Sequence, residues 1–265
     1  MAQHTQIANS LKEAFSIRKG EVISLVGAGG KSSLMQALAD ELAATGGTVI
    51  TTTTTKIFDW QAPSPHLIVE ADEDKMLGLL LEALGKYQHV TLAKDRLLQS
   101  GKLDGISPQL IKRIADLGKI DYIIIEADGA ARKPIKAPNA TEPVIPPNTT
   151  LVIAIVGIDA LNKELNSENA FRPEIISGLT GLLMNEKITT DTIVTLLTRS
   201  QGITKGSPPQ ARIIPFINKV DSDEDLRHAE EIADKILALR SPNITQVVAG
   251  QIVSPAPSLK IIRAE

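Results

Sequence analysis

Hydrophobic residues fall along this chain in short unbroken runs rather than in strict alternation. EVISLV (21–26), TVITTT (48–53), HVTLA (89–93), DYIIIEA (121–127), TLVIAIVG (150–157), RIIPFIN (212–218) and TQVVAG (245–250) each have the length of a strand. Runs that are nearly all apolar predict parallel strands with both faces covered. Helical patterns lie between them. KSSLMQALADELAAT places Leu34, Leu38 and Leu42 on one face, with Ala39 beside them. DEDKMLGLLLEALGKY, SPQLIKRIADLGK and SDEDLRHAEEIADKILALR also read as helices, the last opening on a Ser222-to-Asp225 N-cap. Alternating strands and helices predict an α/β fold with a mainly parallel sheet and helices on both faces. The segment 158–210 fits this rhythm worst, with turns at SGLTG and RSQGITKGSPPQ, and is expected to form a small insertion.

Composition narrows the possibilities. The 265 residues, 43% of them hydrophobic, suffice for one sizeable core, so 1–265 is expected to be a single domain. A net charge of −3 makes no electrostatic case for nucleic acid or an anionic membrane. With no cysteine, disulfides, thiolate metal sites and a cysteine nucleophile are excluded, and the four histidines form no H-x-x-x-H pair. LVIAIVGIDAL, among the longest apolar runs, is far short of a membrane span, and the N-terminus is no secretory signal. The expected location is the cytoplasm.

The first strand runs into Gly27-Ala28-Gly29-Gly30-Lys31-Ser32-Ser33, and a helix follows. Glycines let backbone N–H groups close around phosphate oxygens, and the helix N-terminus adds its positive end. Lys31 is placed to reach the terminal phosphates and Ser32 to hold Mg²⁺. These seven residues are therefore nucleotide-binding candidates, and the fold expected around them is P-loop NTPase-like. The loop is shorter than the standard Gly-x4-Gly-Lys-Ser/Thr, with Leu25 at the first glycine position. It resembles the compact Gly-x-x-Gly-Lys-Thr-Thr loop of Mur-type ligases. Val26 stands where SIMIBI-type ATPases carry a signature lysine, which argues against that subclass.

A second cluster ends the strand DYIIIEADGA. Glu126 or Asp128 is expected to hold Mg²⁺, and spacing alone does not choose between them. Glu126-Ala127-Asp128-Gly129 has the acidic-x-x-Gly spacing of a GTPase switch, which would let the Gly129 N–H sense a γ-phosphate. Lys31, Glu126 and Asp128 are the catalytic candidates. Arg132, Lys133 and Lys136 follow, as cations that could bind substrate or stabilise transition-state charge or, equally, as a solvated basic loop.

Asn218-Lys219-Val220-Asp221 at the end of a late strand matches the Asn-Lys-x-Asp guanine signature. An aspartate accepts from guanine N1–H and N2–H₂, which adenine does not offer. This places GTP before ATP. The bland alternative is a polar strand-to-helix turn capped by Asp221 or Ser222.

VITTTTTKIF (49–58) spends five threonines on one strand. A crossover through the phosphate-loop helix would make this strand a parallel neighbour of the first, with its end on the ligand-binding edge. Thr53, Thr54, Thr55 and Lys56 are candidates for switch or substrate contacts. Thr51 and Thr52 are expected to satisfy buried backbone or bury their methyls.

Together, VGAGGKSS, VITTTTTKI, DYIIIEADGAARKPIKAPNATEPVIP, VIAIVGIDAL, FRPEIISGLTG and FINKVD resemble the YqeC family. The resemblance implies a role in maturing selenium-dependent molybdenum hydroxylases, with such a hydroxylase or its cofactor machinery as a partner. It also adds Asp159, Arg172, Glu174 and Thr180 as weaker site candidates. The function expected is Mg²⁺-dependent binding of GTP or ATP, with hydrolysis or phosphoryl transfer. The rivals are an ATP-dependent kinase or ligase and a nucleotide-gated chaperone without catalysis.

Overall fold

The computed structural model describes residues 3–58, 66–252 and 257–264. Ten strands form one sheet: β1 (Gln3–Ala8), β2 (Glu21–Gly27), β3 (Val49–Thr53), β4 (Leu67–Val69), β5 (His89–Ala93), β6 (Tyr122–Glu126), β7 (Leu151–Gly157), β8 (Arg212–Asn218), β9 (Gln246–Gln251) and β10 (Ser258–Ala264). Their order is β1-β10-β9-β8-β7-β2-β6-β3-β5-β4. From β9 to β4 all pairings are parallel, while β10 runs antiparallel to both β9 and β1. The α/β expectation is met.

The helices are α1 (Leu11–Ala14), α2 (Lys31–Ala44), α3 (Glu73–Leu84), α4 (Pro108–Asp116), α5 (Pro173–Thr180), α6 (Thr190–Thr198) and α7 (Asp223–Ala238). Strand parity divides the core into two layers. Ile23 and Leu25 of β2 pack with Phe15, Leu34, Leu38 and Leu42 from the α1 and α2 side. Val22 and Val26 pack into the other layer, with Leu80, Ile111, Leu196 and Ile232 of α3, α4, α6 and α7. Every residue of β2, β6 and β7 is buried, which is why these runs are apolar without alternation.

One expectation about strand order is corrected. β3 does not neighbour β2, because β6 lies between them, with Leu25 and Thr53 both opposite Glu126. The crossover through α2 skips one position, and the more apolar Tyr122–Glu126 fills it. β3 still ends on the same sheet edge as the glycine loop.

The segment 158–210 connects β7 to β8. It begins with a single 3-10 turn at Ile158–Ala160, and its strand Ala170–Phe171 pairs with Ile135–Lys136. It then supplies α5 and α6, whose Ile176, Ile193, Leu196 and Leu197 join the main core. A separate three-stranded sheet (Ile57–Phe58, Asp95–Leu97, Lys102–Asp104) follows the end of β3 in chain order and pairs through Lys102–Asp104. Among the described residues no helix is long and apolar enough to cross a membrane.

Candidate functional site

The glycine loop owes its shape to close packing. Gly29 and Gly30 have φ of +86° and +134°. A Cβ on Gly29 would lie 2.4 Å from the Gly157 nitrogen, and one on Gly30 would lie 2.3 Å from Asn218 Nδ2. Larger residues are excluded at both positions. The Gly27 N–H donates to Asp128 Oδ2 at 3.1 Å, Ala28 N–H to the Ile155 carbonyl at 2.9 Å and Gly29 N–H to the Lys133 carbonyl at 3.1 Å. Those three amides already serve protein acceptors. Lys31, Ser32 and Ser33 begin α2, and Gly30 at its N-cap offers no side-chain acceptor. Their N–H groups are the ones a helix leaves without internal partners, and they suit an anion.

Beneath the loop runs a chain of alternating charges. Lys31 is buried; its Nζ donates to the Gly27 carbonyl and lies 3.1 Å from Asp128 Oδ1 and 3.8 Å from Glu126 Oε1. Asp128, fully buried, also meets Lys136 Nζ at 2.9 Å. Lys136 reaches Glu142 at 3.2 Å, and Arg172 Nη1 donates to the same Glu142 oxygen at 2.7 Å. Arg172 also lies over the Phe171 ring, 4.4 Å from its centroid. Burial alone would raise the Glu142 pKa, but hydrogen bonds and charge from Arg172 and Lys136 outweigh it and hold the carboxyl below its ordinary value.

Glu126 sits differently. Ser32 Oγ donates to its Oε2 at 2.8 Å. Burial raises its pKa, against the opposing pull of Lys31 and Ser32. Asp128 is consumed by Gly27, Lys31 and Lys136, whereas Glu126 shares an edge with the exposed Ser32. A hydroxyl and one carboxylate match a Mg²⁺ that keeps phosphate and water oxygens as its other ligands. No group of three or more metal-ligating acids or histidines occurs among the described residues.

Asn218 ties two loops together, donating from Nδ2 to the Gly29 carbonyl at 2.7 Å. Lys219, at φ +65°, pairs with Asp159 at 2.8 Å. Asp221 is exposed. Gly129 is only half-buried, and a Cβ there would meet nothing closer than 4.0 Å. Thr51 bonds to His89 and Thr91, and Thr52 to the Leu92 carbonyl. Thr53 Oγ1 donates to the Glu126 carbonyl at 2.8 Å and Thr54 Oγ1 to the Val144 carbonyl at 2.7 Å. Thr55 Oγ1 is buried without a hydrogen-bond partner.

A cleft of about 1270 Å³ opens over this edge. It is lined by Gly29 to Ser33, Glu126, Gly129 to Lys133, Lys56, Ile57, Gly101, Lys102, Glu142, Phe171 and Lys219. It therefore gathers the loop, Glu126, Lys56, Arg132 and Lys219 from separate stretches. Gly27, Ala28, Asp128, Lys136 and Asn218 lie behind its wall. Thr53 to Thr55, Asp221, Glu174 and Thr180 do not line it, and Thr180 Oγ1 is used by the Ile176 carbonyl. Glu142, Phe171 and Lys102 were not singled out from sequence. The only sign of Glu142 was its place in the basic stretch after Gly129, and nothing local marked Lys102.

The family model described as YqeC protein matches residues 23–174. That range includes the glycine loop, the threonine strand and the chain from Glu126 to Arg172, and it stops short of Asn218 to Asp221. A relative from Escherichia coli (strain K12) that bears the name Uncharacterized protein YqeC is 34% identical over 211 residues, covering 78% of this chain and 79% of its own. No solved structure matches the chain.

Proposed function

The chain belongs to the YqeC family, and from the geometry of its site we propose that it is a Mg²⁺-dependent nucleotide-binding protein, GTP before ATP, that hydrolyses its nucleotide or transfers the terminal phosphoryl group. The observation that carries this reading is the meeting of Ser32 and Glu126 at 2.8 Å beside an uncapped helix start and Lys31. The place in maturation of selenium-dependent molybdenum hydroxylases comes from the family resemblance alone, because the site residues contain no group with selenium chemistry.

The start of α2 would receive phosphate oxygens on its N–H groups, and Lys31 would leave Asp128 to neutralise the terminal phosphate. Ser32 and Glu126 are the residues that would hold Mg²⁺, which when bound would spread the charge that develops on the phosphates. A cation there would also favour the ionised form of Glu126. Asn218 would keep the base-side loop in register with the phosphate loop, and Lys219 would line the base side of the cleft.

A second reading, a nucleotide gate without turnover, is supported by the ion-pair chain from Lys31 through Asp128, Lys136 and Glu142 to Arg172. Moving Lys31 would unbalance Asp128 and pass the change to the segment before α5. Phosphate release with GTP and with ATP, with and without Mg²⁺, separates the two. Mg²⁺-dependent release that Glu126→Gln abolishes supports the enzyme. Tight binding with negligible release supports the gate. Failure of both nucleotides to bind overturns both readings.

A further inference from the structure

We propose that the β3 end of the cleft is a second anion site, built for a phosphorylated small molecule that sits beside the nucleotide. It rests on the nucleotide reading for its place along the cleft, and on charge and geometry for its chemistry.

Strand order sets the layout. Lys219 follows β8 and the glycine loop follows β2, two positions apart, which is roughly 10 Å at sheet spacing. A nucleotide whose base lies at Lys219 and whose phosphates lie on α2 uses that half. β6 and β3 continue in the opposite direction for another two positions, roughly 10 Å. The cleft follows them, lined there by Lys56 just past β3 and by Lys102 of the small sheet. Its volume of about 1270 Å³ exceeds the range typical of one small-ligand site.

The charge is concentrated without being general. Six cations line the cleft (Lys31, Lys56, Lys102, Arg132, Lys133 and Lys219) against Glu126 and Glu142, in a chain whose net charge is −3. Within the protein Glu126 is engaged by Ser32 and Glu142 by Arg172 and Lys136, while Lys31 is paired with Asp128, Lys219 with Asp159, and Lys133 donates to the Glu168 carbonyl. Arg132 is exposed and left-handed at φ +61°, directly after Ala131 at +47°. Two successive non-glycine residues in that conformation are costly. They present a guanidinium, whose fork matches phosphate, on the cleft wall.

Inorganic pyrophosphate is the probe. Calorimetry would follow its binding to the wild type, to Lys31→Ala and to Lys56→Ala/Lys102→Ala. Two classes of site are expected in the wild type. Lys31→Ala should remove one, and the double variant should weaken the other about tenfold. Lys56→Arg/Lys102→Arg should retain both, which separates charge from damage to the fold. Binding that survives unchanged in the double alanine variant, or that Lys31→Ala abolishes altogether, overturns the second site. Should GTP and ATP both fail to bind while the double variant still loses pyrophosphate, the nucleotide reading falls and the anion site stands.

Discussion

Ser32 Oγ donates to Glu126 Oε2 across 2.8 Å, although 94 residues separate them in the chain. The contact joins the first turn of α2 to the end of the neighbouring strand β6, where the parallel sheet opens to ligands. Ser32→Ala would remove one of the two candidate Mg²⁺ ligands from an exposed position. Nucleotide affinity in Mg²⁺ should fall about tenfold, with little change in melting temperature. Calorimetry in Mg²⁺ and in EDTA checks this, and equal affinities for variant and wild type in Mg²⁺ would dismiss Ser32 as a ligand.

Asp128 lies between two buried lysines, so Asp128→Asn would leave Lys31 and Lys136 facing a neutral amide. Breaking a buried ion pair from one side costs about 3 kcal/mol or more. The melting temperature should drop by roughly 6–12 °C for a chain of this size. A drop under about 2 °C would mean that the lysines find other partners and that the charge chain is not structural.

Glu126 and Glu142 should move stability in opposite directions with pH. The pKa of Glu126 is raised by burial above its ordinary 4.5, so the folded state disfavours its ionised form. Its contribution becomes unfavourable as pH rises from 4.5 through the raised value. Glu126→Gln should therefore gain stability relative to wild type as pH increases through that window. For Glu142, burial is outweighed by Arg172 and Lys136, and the pKa is lowered. Its stabilisation is present above 4.5 and is lost as pH falls through the folded value. Glu142→Gln should be destabilising at neutral pH and nearly neutral in acid. Melting curves of both variants across pH 3–8 test the pair, and parallel profiles for the two would contradict the assignment.

Thr55 offers a clean separation of stability from function. Its Oγ1 is buried and unpartnered, at a cost of about 1–3 kcal/mol for such a hydroxyl. Thr55→Val keeps the shape and should raise the melting temperature by about 2–12 °C. If the hydroxyl is kept to serve the bound state, nucleotide turnover should fall in the same variant. A stabilised variant with unchanged turnover would leave the hydroxyl without a functional role.

Much of this was legible because it is local. The run EVISLV, the glycines after it and the Leu34, Leu38 and Leu42 stripe specify strand, loop and α2 without reference to the rest of the chain. The acids ending DYIIIEADGA are likewise visible as polar residues terminating a buried strand. Their roles were not, because Glu126 and Asp128 are distinguished by what reaches them: Ser32 and, farther off, Lys31 in one case, Gly27, Lys31 and Lys136 in the other.

Non-local pairing hid the rest. The place of β6 between β2 and β3 is set by its pairing with both, which chain order does not show. The Glu142–Arg172 pair forms only when Ile135–Lys136 and Ala170–Phe171 meet as strands, and two-residue strands leave no periodicity to read. The edge strand β1 and its antiparallel neighbour β10 were also missed; β1 carries polar residues along an edge, where the apolar run that marks a buried strand is not required.

The most direct test of the nucleotide site is a calorimetric titration of the purified protein with GTP and with ATP in Mg²⁺, beside Lys31→Ala and Asp221→Asn. The expected result is GTP binding that Lys31→Ala abolishes and Asp221→Asn selectively weakens, with ATP bound more weakly and spared by Asp221→Asn. Binding of neither nucleotide to the wild type, or binding indifferent to Lys31→Ala, would contradict the glycine loop as a phosphate site.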